Sequence, residues 1–213
     1  MRLYLSSFGL GNSQDELLAL LAGKKRAAVV LNAKDASAED SRARSLAEEI
    51  EALAGLGLEP GELDLREYFG NPEGLRERLA ETDLIWVRGG NVFVLRRAMR
   101  QSGFDELLPE LLTQDALVYG GFSAGVCVLA PSMRGFETVD DPATVPSGYD
   151  PAPVWEGLGV LSYSVAPHYR SNHPESEAVD RLVQHFVEQH VLFRAIRDGE
   201  AIVVDGERHT VVG

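Results

Sequence analysis

Ser123 is the residue whose sequence surroundings most strongly suggest a chemical role. It stands in the pattern Gly121-Phe122-Ser123-Ala124-Gly125, between a strand-like and a helix-like apolar run. Small residues around a serine at a sharp strand-to-helix turn are typical of a nucleophile elbow. At such a turn the first amide of the helix, that of Ala124, points to where an oxyanion would form. The alternative is an ordinary helix N-cap, a role that serine also favours.

A serine nucleophile needs a base, normally histidine, and the chain has five histidines. His168 is the favoured base because "SVAPH" places it just after an apolar strand, where the loops of an α/β sheet converge. His173, in the same loop, is the second candidate. The remaining histidines, predicted to be solvated or structural, are His185, His190 and His209.

The base needs a third group to orient it, and Asp198 is predicted to supply that group. It follows the strand-like run "LFRAI" at its carboxyl end, a placement similar to that of His168. The alternative is a simple turn aspartate, because Asp198 precedes Gly199 and Asp-Gly pairs favour hairpin turns.

A second loop at a strand end, "VRGGNVF", has two consecutive glycines that leave backbone amides unshielded. Gly90 is predicted to donate the other oxyanion hydrogen bond. Asn91 can cap the following helix, so a tight strand-to-helix turn with an asparagine cap is an equally good interpretation of the loop alone.

Other kinds of chemistry find little support in the sequence. There is no H-E-x-x-H pattern, no G-x-G-x-x-G pattern and no Walker A sequence. We therefore expect neither a metal ion nor a cofactor. Cys127, the single cysteine, lies on an apolar face four residues after Ser123 and is predicted to be a core residue.

The elements that must position these residues alternate between strand-like and helix-like patterns. The predicted strands include "RLYLSS", "RAAVVLNA", "LEPGELDL", "DLIWVRGG" and "ALVYGG", with helix-like segments between them. This rhythm predicts an α/β fold with a mostly parallel sheet flanked by helices on both faces, in a single domain covering residues 1–213.

Several local features are also predicted. Ser37 is expected to cap the helix in "SAEDSRARSLAEEIEALAGLG". Residues 132–157 are rich in Pro, Gly and Asp and are expected to form a long excursion, which could act as a lid. The chain then closes with a helix and three short strands that turn at Asp198-Gly199 and Asp205-Gly206. One face of that helix should carry Val179, Leu182, Val183, Phe186 and Val187.

Composition limits the possible partners and location. The net charge is −13, which argues against a surface for nucleic acid or for an anionic membrane. A single cysteine excludes an internal disulfide, and no apolar run is long enough for a transmembrane helix or a signal peptide. We therefore expect a cytoplasmic protein, either a monomer or a homodimer, that binds neither nucleic acid nor a membrane.

Three motifs in register carry a resemblance that extends over nearly the whole chain. "RGGNVFVLRRAM", "YGGFSAGVCVLAP" and "APHY" resemble the peptidase E family of serine peptidases, which includes the aspartyl dipeptidases and is related to cyanophycinase. The resemblance implies a flavodoxin-like or class I glutamine amidotransferase-like sandwich without a cofactor. It also implies Ser123 as nucleophile, His168 as base, oxyanion amides at Gly90 and Ala124, and Asn91 in the loop nearby.

The chain departs from the family at two positions. Prototype members carry a glutamate in a "PEGN"-like turn, whereas the matching stretch here is "IRDGEA" and offers Asp198. The aspartyl dipeptidases bind the substrate aspartate with an arginine after the catalytic-histidine loop, but here that region reads "HPESEAVDR". Arg170 is the cation that could substitute, because "HPESEAVDR" is acidic until Arg181.

These observations lead to one main expectation and two alternatives. The expectation is a serine peptidase that cleaves small peptides, without a firm prediction of aspartyl specificity. An α/β-hydrolase esterase is disfavoured because that fold orders its triad Ser, Asp, His, whereas this chain has Ser123, His168, Asp198. The other alternative is a catalytically silent family member that binds a peptide or metabolite in the same cleft.

Overall fold

The structure is a computed structural model that describes residues 1–213. Its strands are β1 (Arg2–Ser6), β2 (Arg26–Val30), β3 (Glu59–Glu62), β4 (Leu84–Val87), β5 (Val118–Phe122), β6 (Ser164–Ala166), β7 (Phe193–Ala195), β8 (Ala201–Asp205) and β9 (Arg208–Val212). Its helices are α1 (Gln14–Leu21), α2 (Glu39–Gly55), α3 (Pro72–Ala80), α4 (Val92–Ser102), α5 (Phe104–Thr113), α6 (Ala124–Cys127) and α7 (Ser176–Glu188).

Seven strands form the main sheet, in the order β3-β2-β4-β5-β1-β8-β9. The first five of these run parallel, and β8 and β9 complete one edge as an antiparallel pair. The central strands are buried on both faces, which explains their continuous apolar sequences. The predicted α/β fold with a mostly parallel sheet is confirmed.

Helices cover the two faces of the sheet unequally. On one face α1 and α2 contribute Leu17 and Leu53 to a core that also contains Trp86 and Phe122. On the other face the larger core gathers buried side chains from α3, α4, α5, α6 and α7. The predicted placement of helices on both faces is therefore confirmed. No helix is both long enough and apolar enough to cross a membrane.

The carboxyl ends of the parallel strands bring distant parts of the chain to one edge of the sheet. Ser7 follows β1, Lys34 lies beyond β2, Gly89 follows β4 and Ser123 follows β5. Loops at this edge are where open α/β sheets form their sites. The candidate site residues predicted from the sequence lie at this same edge.

Two glycines allow the β5–α6 turn to lie close against β4. A Cβ atom on Gly121 would lie 2.4 Å from the Val87 carbonyl oxygen, and one on Gly125 would lie 2.2 Å from it. Because both contacts are to backbone, no side-chain movement would relieve them. Glycine at these positions therefore fixes where the turn presents Ser123.

The structure corrects four local predictions. The helix expected to start at Ser37 begins at Glu39 with Ala38 as its N-cap residue, and no side chain caps it. The helix after Ser123 is short, with residues 124–127 only. Val187 was expected on the apolar face of α7 but is exposed. The strand before Asp198-Gly199 pairs in parallel with β6 in a separate two-stranded sheet, so that turn joins no hairpin. The Asp205-Gly206 turn does join an antiparallel pair, as expected.

The excursion over residues 132–157 is bound firmly to α4. The buried Arg97 donates hydrogen bonds to the carbonyl oxygens of Pro142, Thr144 and Pro151. Tyr149 of the same segment is buried and donates a hydrogen bond to Asp35 at 2.5 Å. These hydrogen bonds hold much of the excursion against α4 and against the segment that contains Asp35.

Candidate active site

Ser123 adopts the backbone conformation of an elbow. Its φ is 51° and its ψ is −120°, a left-handed conformation that costs an L-residue about 1–2 kcal/mol. It precedes α6, but its side chain makes no capping hydrogen bond. The capping alternative is therefore wrong, and the strained turn instead holds a half-buried hydroxyl at the edge of the sheet.

Backbone amides surround this hydroxyl. Ala124 is the first residue of α6, so its N–H has no acceptor within the helix. The N–H groups of Gly89 and Gly90 also make no hydrogen bond within the protein. A Cβ on Gly89 would lie 2.8 Å from the Ser123 Cβ, so the loop passes directly beside the serine. Sequence reasoning predicted Gly90 and missed Gly89, although the two glycines are consecutive.

Asn91 holds in place the loop that contains Gly89 and Gly90, the glycine loop. Its side-chain oxygen accepts hydrogen bonds from the N–H groups of Phe93 and Val94, and its Nδ2 donates to the Asp141 carbonyl oxygen. The predicted cap on α4 is confirmed. Because both the oxygen and the nitrogen of its side-chain amide form hydrogen bonds within the protein, Asn91 supports the loop rather than presenting a free group to a substrate.

His168 and Asp198 are hydrogen-bonded partners. The His168 Nδ1 lies 2.7 Å from the Asp198 Oδ1, and the His168 side chain is buried. Ser7 joins the two, because its Oγ donates to the Asp198 Oδ1 and accepts the His168 backbone N–H, both at 2.8 Å. The Ser171 Oγ accepts the Asp198 N–H at 2.8 Å. Sequence reasoning missed Ser7 and Ser171, which carry no motif.

The environment of His168 keeps its imidazole neutral. Burial lowers the pKa of His168, and the hydrogen bond that its Nδ1 donates to Asp198 opposes that effect only in part. With the Nδ1 proton directed to Asp198, the Nε2 lone pair is left free. A neutral imidazole with a free Nε2 is the form that can accept a proton from a hydroxyl group.

His173 and Glu175 lie next to this imidazole. The His173 ring stacks on the His168 ring with centroids 3.7 Å apart, and one Glu175 oxygen lies 4.0 Å from the His168 Nε2. The three residues each offer a ligand atom within 4.8 Å of the others, a cluster that the sequence did not suggest. However, the His173 Nδ1 accepts the Glu175 N–H, which places the proton of a neutral ring on Nε2. That tautomer does not favour a metal ion.

Two cavities meet at Ser123. The larger, with a volume of about 200 Å³, is lined by Phe8, Lys34, Arg88, Gly89 and Gly90 among others. The smaller, about 20 Å³, lies on the α6 side and is walled by Ala124, Cys127, Phe136, Asp140 and Val179 among others. Ser123, His168 and Glu175 line both. The candidate nucleophile and base therefore lie at the boundary between a larger and a smaller cavity.

Arg170, the cation predicted to bind the substrate, lies elsewhere. Arg170 is exposed, its guanidinium lies over the Tyr169 ring at 5.0 Å, and it lines neither cavity. Arg181 pairs with Glu177 on the surface. Cys127 is buried in the core as predicted, and burial raises the pKa of its thiol.

Asp140 is a group in the smaller cavity that the sequence did not single out. Its Oδ2 accepts the Val92 N–H at 2.9 Å, at the start of α4. Burial raises the pKa of this carboxyl to about 7, and the nearby Glu175 contributes in the same direction. Because Asp140 lies in the irregular excursion, no periodic pattern marked it as a residue of the site.

We expect an Asp140→Asn variant to lose part of the pH dependence of stability. The folded chain keeps a proton on Asp140 up to about pH 7, whereas an unfolded aspartate releases it near pH 4. The native free energy of unfolding should therefore fall as pH rises between these values, by at most about 4 kcal/mol from this group. Urea unfolding at pH 5 and pH 8 measures the effect. The variant should match the native protein at pH 5 and exceed its stability at pH 8; equal stability at both would contradict the expectation.

Comparison with known families identifies relatives of this fold and site. The model of the family described as "Peptidase family S51" matches residues 7–212. In structure, the chain superposes on a peptidase E-type protein from Listeria monocytogenes EGD-e with a TM-score of 0.80 and 22% identity. That match covers 99% of this chain and 97% of the other, and it supports the fold.

Similar sequences are named as peptidases. A "Probable alpha-aspartyl dipeptidase" of Drosophila melanogaster is 31% identical over 160 residues, or 70% of this chain and 63% of the relative. A "Peptidase E" of Streptomyces coelicolor is 33% identical over 141 residues, or 64% of this chain and 54% of the relative. The matched region thus spans less than two thirds of each of these relatives. Since the family model covers almost every residue, the chain belongs to peptidase family S51.

Proposed function

We propose that this protein is a serine peptidase that hydrolyses small peptides, with Ser123 as nucleophile, His168 as base and Asp198 as the group that orients the base. The observation that carries the proposal is the 2.7 Å hydrogen bond between His168 and Asp198 beside a serine held in a strained elbow. Family membership and the names of the relatives support the same reaction class.

In the first half of the reaction, the His168 Nε2 takes the Ser123 hydroxyl proton while Oγ bonds to the substrate carbonyl carbon. The resulting oxyanion accepts hydrogen bonds from the Ala124 amide and from the glycine loop. When the intermediate collapses, the carbon–nitrogen bond breaks and His168 returns its proton to the leaving amine. Asp198 stabilises the imidazolium that exists between these two transfers.

In the second half, His168 takes a proton from a water molecule that attacks the acyl-serine ester. The ester bond then breaks, the proton passes back to the Ser123 Oγ, and the carboxylic acid leaves. The Ser123 hydroxyl makes no hydrogen bond to His168 in this structure. Such contacts are often long without substrate, so the approach of a peptide is expected to bring the two groups together.

The cavities favour a small, uncharged first residue in the substrate. The smaller cavity on the α6 side has only about 20 Å³ and includes the carboxyls of Asp140 and Glu175. A substrate aspartate there would find no cation, so its carboxylate would lose water without a compensating ion pair. This differs from the substrate named for the Drosophila relative.

The missing serine–histidine hydrogen bond also favours a second candidate, a silent member that binds peptides without cleaving them. A screen separates the two functions. It compares dipeptides beginning with Ala, Gly, Asp, Glu or Lys, together with N-acetylated and longer peptides, and measures released amine. We expect cleavage of Ala- and Gly-dipeptides at least about tenfold faster than of aspartyl dipeptides. Selective cleavage of aspartyl dipeptides would contradict this specificity, and binding without turnover would support the silent member.

A further inference from the structure

Lys34 is a cation in the larger cavity whose charge has no partner in the protein. It lines this cavity together with Gly89, Gly90 and Ser123, and its side chain is half-buried. Its ammonium makes no ion pair within 4.0 Å and no hydrogen bond to any acceptor. In a chain with a net charge of −13, a cation that forms no ion pair in the cavity of the candidate nucleophile is available to bind an anionic group of a ligand.

The backbone segment that carries Lys34 packs against the glycine loop. It ends a short 3-10 helix, Asn32–Lys34, that follows β2. The preceding carbonyl, that of Ala33, accepts the Asn91 N–H at 2.9 Å. A Cβ on Gly90 would lie 2.5 Å from the same carbonyl oxygen. The segment that carries Lys34 is therefore packed directly on the loop that passes Ser123.

The nearest acids are committed to other partners. The Asp35 carboxylate, next in sequence, is buried and accepts hydrogen bonds from Arg42, Asn32 and Tyr149. Glu175 is the acid that lines the larger cavity, and it forms no ion pair with Lys34. Arg88, the other cation of the cavity, is bound by Glu49 at 2.9 Å and by a second glutamate. Among the charges lining this cavity, Lys34 is the cation left for a ligand.

We propose that the Lys34 ammonium binds the free C-terminal carboxylate of a dipeptide substrate. This inference rests on the proposed function and adds the residue that recognises the C-terminus of the substrate. In a dipeptide, the carboxylate carbon lies within about 4 Å of the scissile carbonyl carbon, since only three covalent bonds separate them. That distance keeps the carboxylate near Ser123, and of the two cavities there the larger one contains the cations, whereas the smaller one contains two carboxyls and no Lys or Arg.

The remaining wall of the cavity fits the second residue of such a peptide. Phe8 is 52% exposed, and its ring packs edge-on against Phe122 and His168. It offers an apolar surface to the side chain of the residue that leaves. Leucine is therefore a suitable second residue for a probe, and alanine suits the small cavity as the first.

The test measures binding in a Ser123→Ala background, in which no turnover occurs. Calorimetry compares alanyl-leucine with alanyl-leucinamide, which differs only in the missing C-terminal charge. We expect the acid to bind about tenfold or more tightly than the amide, and a further Lys34→Met substitution to abolish that preference. Lys34→Arg should keep part of the preference because the charge remains. Lys25→Met, on an exposed lysine before β2, is the matched control and should keep all of it.

Several outcomes would overturn the proposal. These are no binding of alanyl-leucine, equal binding of acid and amide, or a preference that survives Lys34→Met. Binding of aspartyl-leucinamide that is lost with Lys34→Met would assign the lysine to a side-chain carboxylate instead. Turnover by the native chain is measured separately, so a failure of the proposed peptidase activity is distinguishable from a failure of carboxylate recognition. Unchanged thermal unfolding of the Lys34→Met chain checks that the variant is folded.

Discussion

Replacing Ser123 by alanine is expected to abolish peptide hydrolysis without lowering the stability of the fold. The substitution removes the proposed attacking oxygen, and loss of a serine nucleophile lowers turnover by about 10⁴-fold or more. The Ser123 hydroxyl makes no capping hydrogen bond, so no stabilising contact of that kind is lost. The left-handed φ of 51° is equally strained for alanine and serine. The free energy of unfolding should therefore change by less than about 0.5 kcal/mol.

This result would separate a nucleophile from a helix cap. A capping serine loses about 0.5–2 kcal/mol on replacement by alanine, and it would leave hydrolysis intact. Turnover of the best dipeptide and urea unfolding are measured on the same preparations. Ser132→Ala is the matched control, because Ser132 lies in the excursion and lines neither cavity. Retained hydrolysis in the Ser123→Ala chain would remove Ser123 from the mechanism.

Replacing Asp198 by asparagine is expected to lower turnover by about 10²–10⁴-fold. Asparagine fills nearly the same space, but its amide cannot stabilise the imidazolium of His168 as a carboxylate does. The Asp198 Oδ1 accepts hydrogen bonds from both His168 and Ser7, and the uncharged amide oxygen of asparagine is a weaker acceptor for both. The KM for the dipeptide should change little, since Asp198 lines neither of the cavities that meet at Ser123.

The pH profile gives a second readout for Asp198. Activity should fall on the acid side as His168 gains a proton, at a pH below the ordinary histidine value because burial lowers the pKa of His168. The Asp198 hydrogen bond raises that pKa, so the variant should lose activity at a still lower pH. Asp205→Asn, at the other Asp-Gly turn, is the control and should leave turnover and profile unchanged. Undiminished turnover in Asp198→Asn would contradict the orienting role.

The site residues predicted from the sequence share a local signal. Ser123, His168 and Asp198 each follow an apolar run, so strand ends could be recognised and the residues after them gathered at one edge of the sheet. The predicted α/β fold follows from the same runs. Where that signal is absent, the sequence singles out no residue: Asp140 lies in irregular chain, and Lys34 follows its strand without a motif.

Long-range pairing explains the other failures. Ser7 contacts residues 161 and 191 positions away, and nothing near it in sequence indicates those contacts. The Asp-Gly pair after β7 suggested a hairpin, but β7 pairs with β6 because the segment before His168 lies beside it. A turn motif specifies local backbone geometry, whereas the partner of a strand is decided by the whole fold.

The link through Ser7 has a consequence for the order of events during synthesis. Ser7 is made among the first residues, Ser123 and His168 follow, and Asp198 comes 30 residues after His168. Asp198, which accepts the hydrogen bond from the His168 Nδ1, comes into place only when the last part of the chain returns to the first, as β8 docks on β1. Contacts of such large sequence separation form late, because the chain between them must be ordered first. A nascent chain would therefore carry the serine and the histidine while still unable to cut the peptides around it.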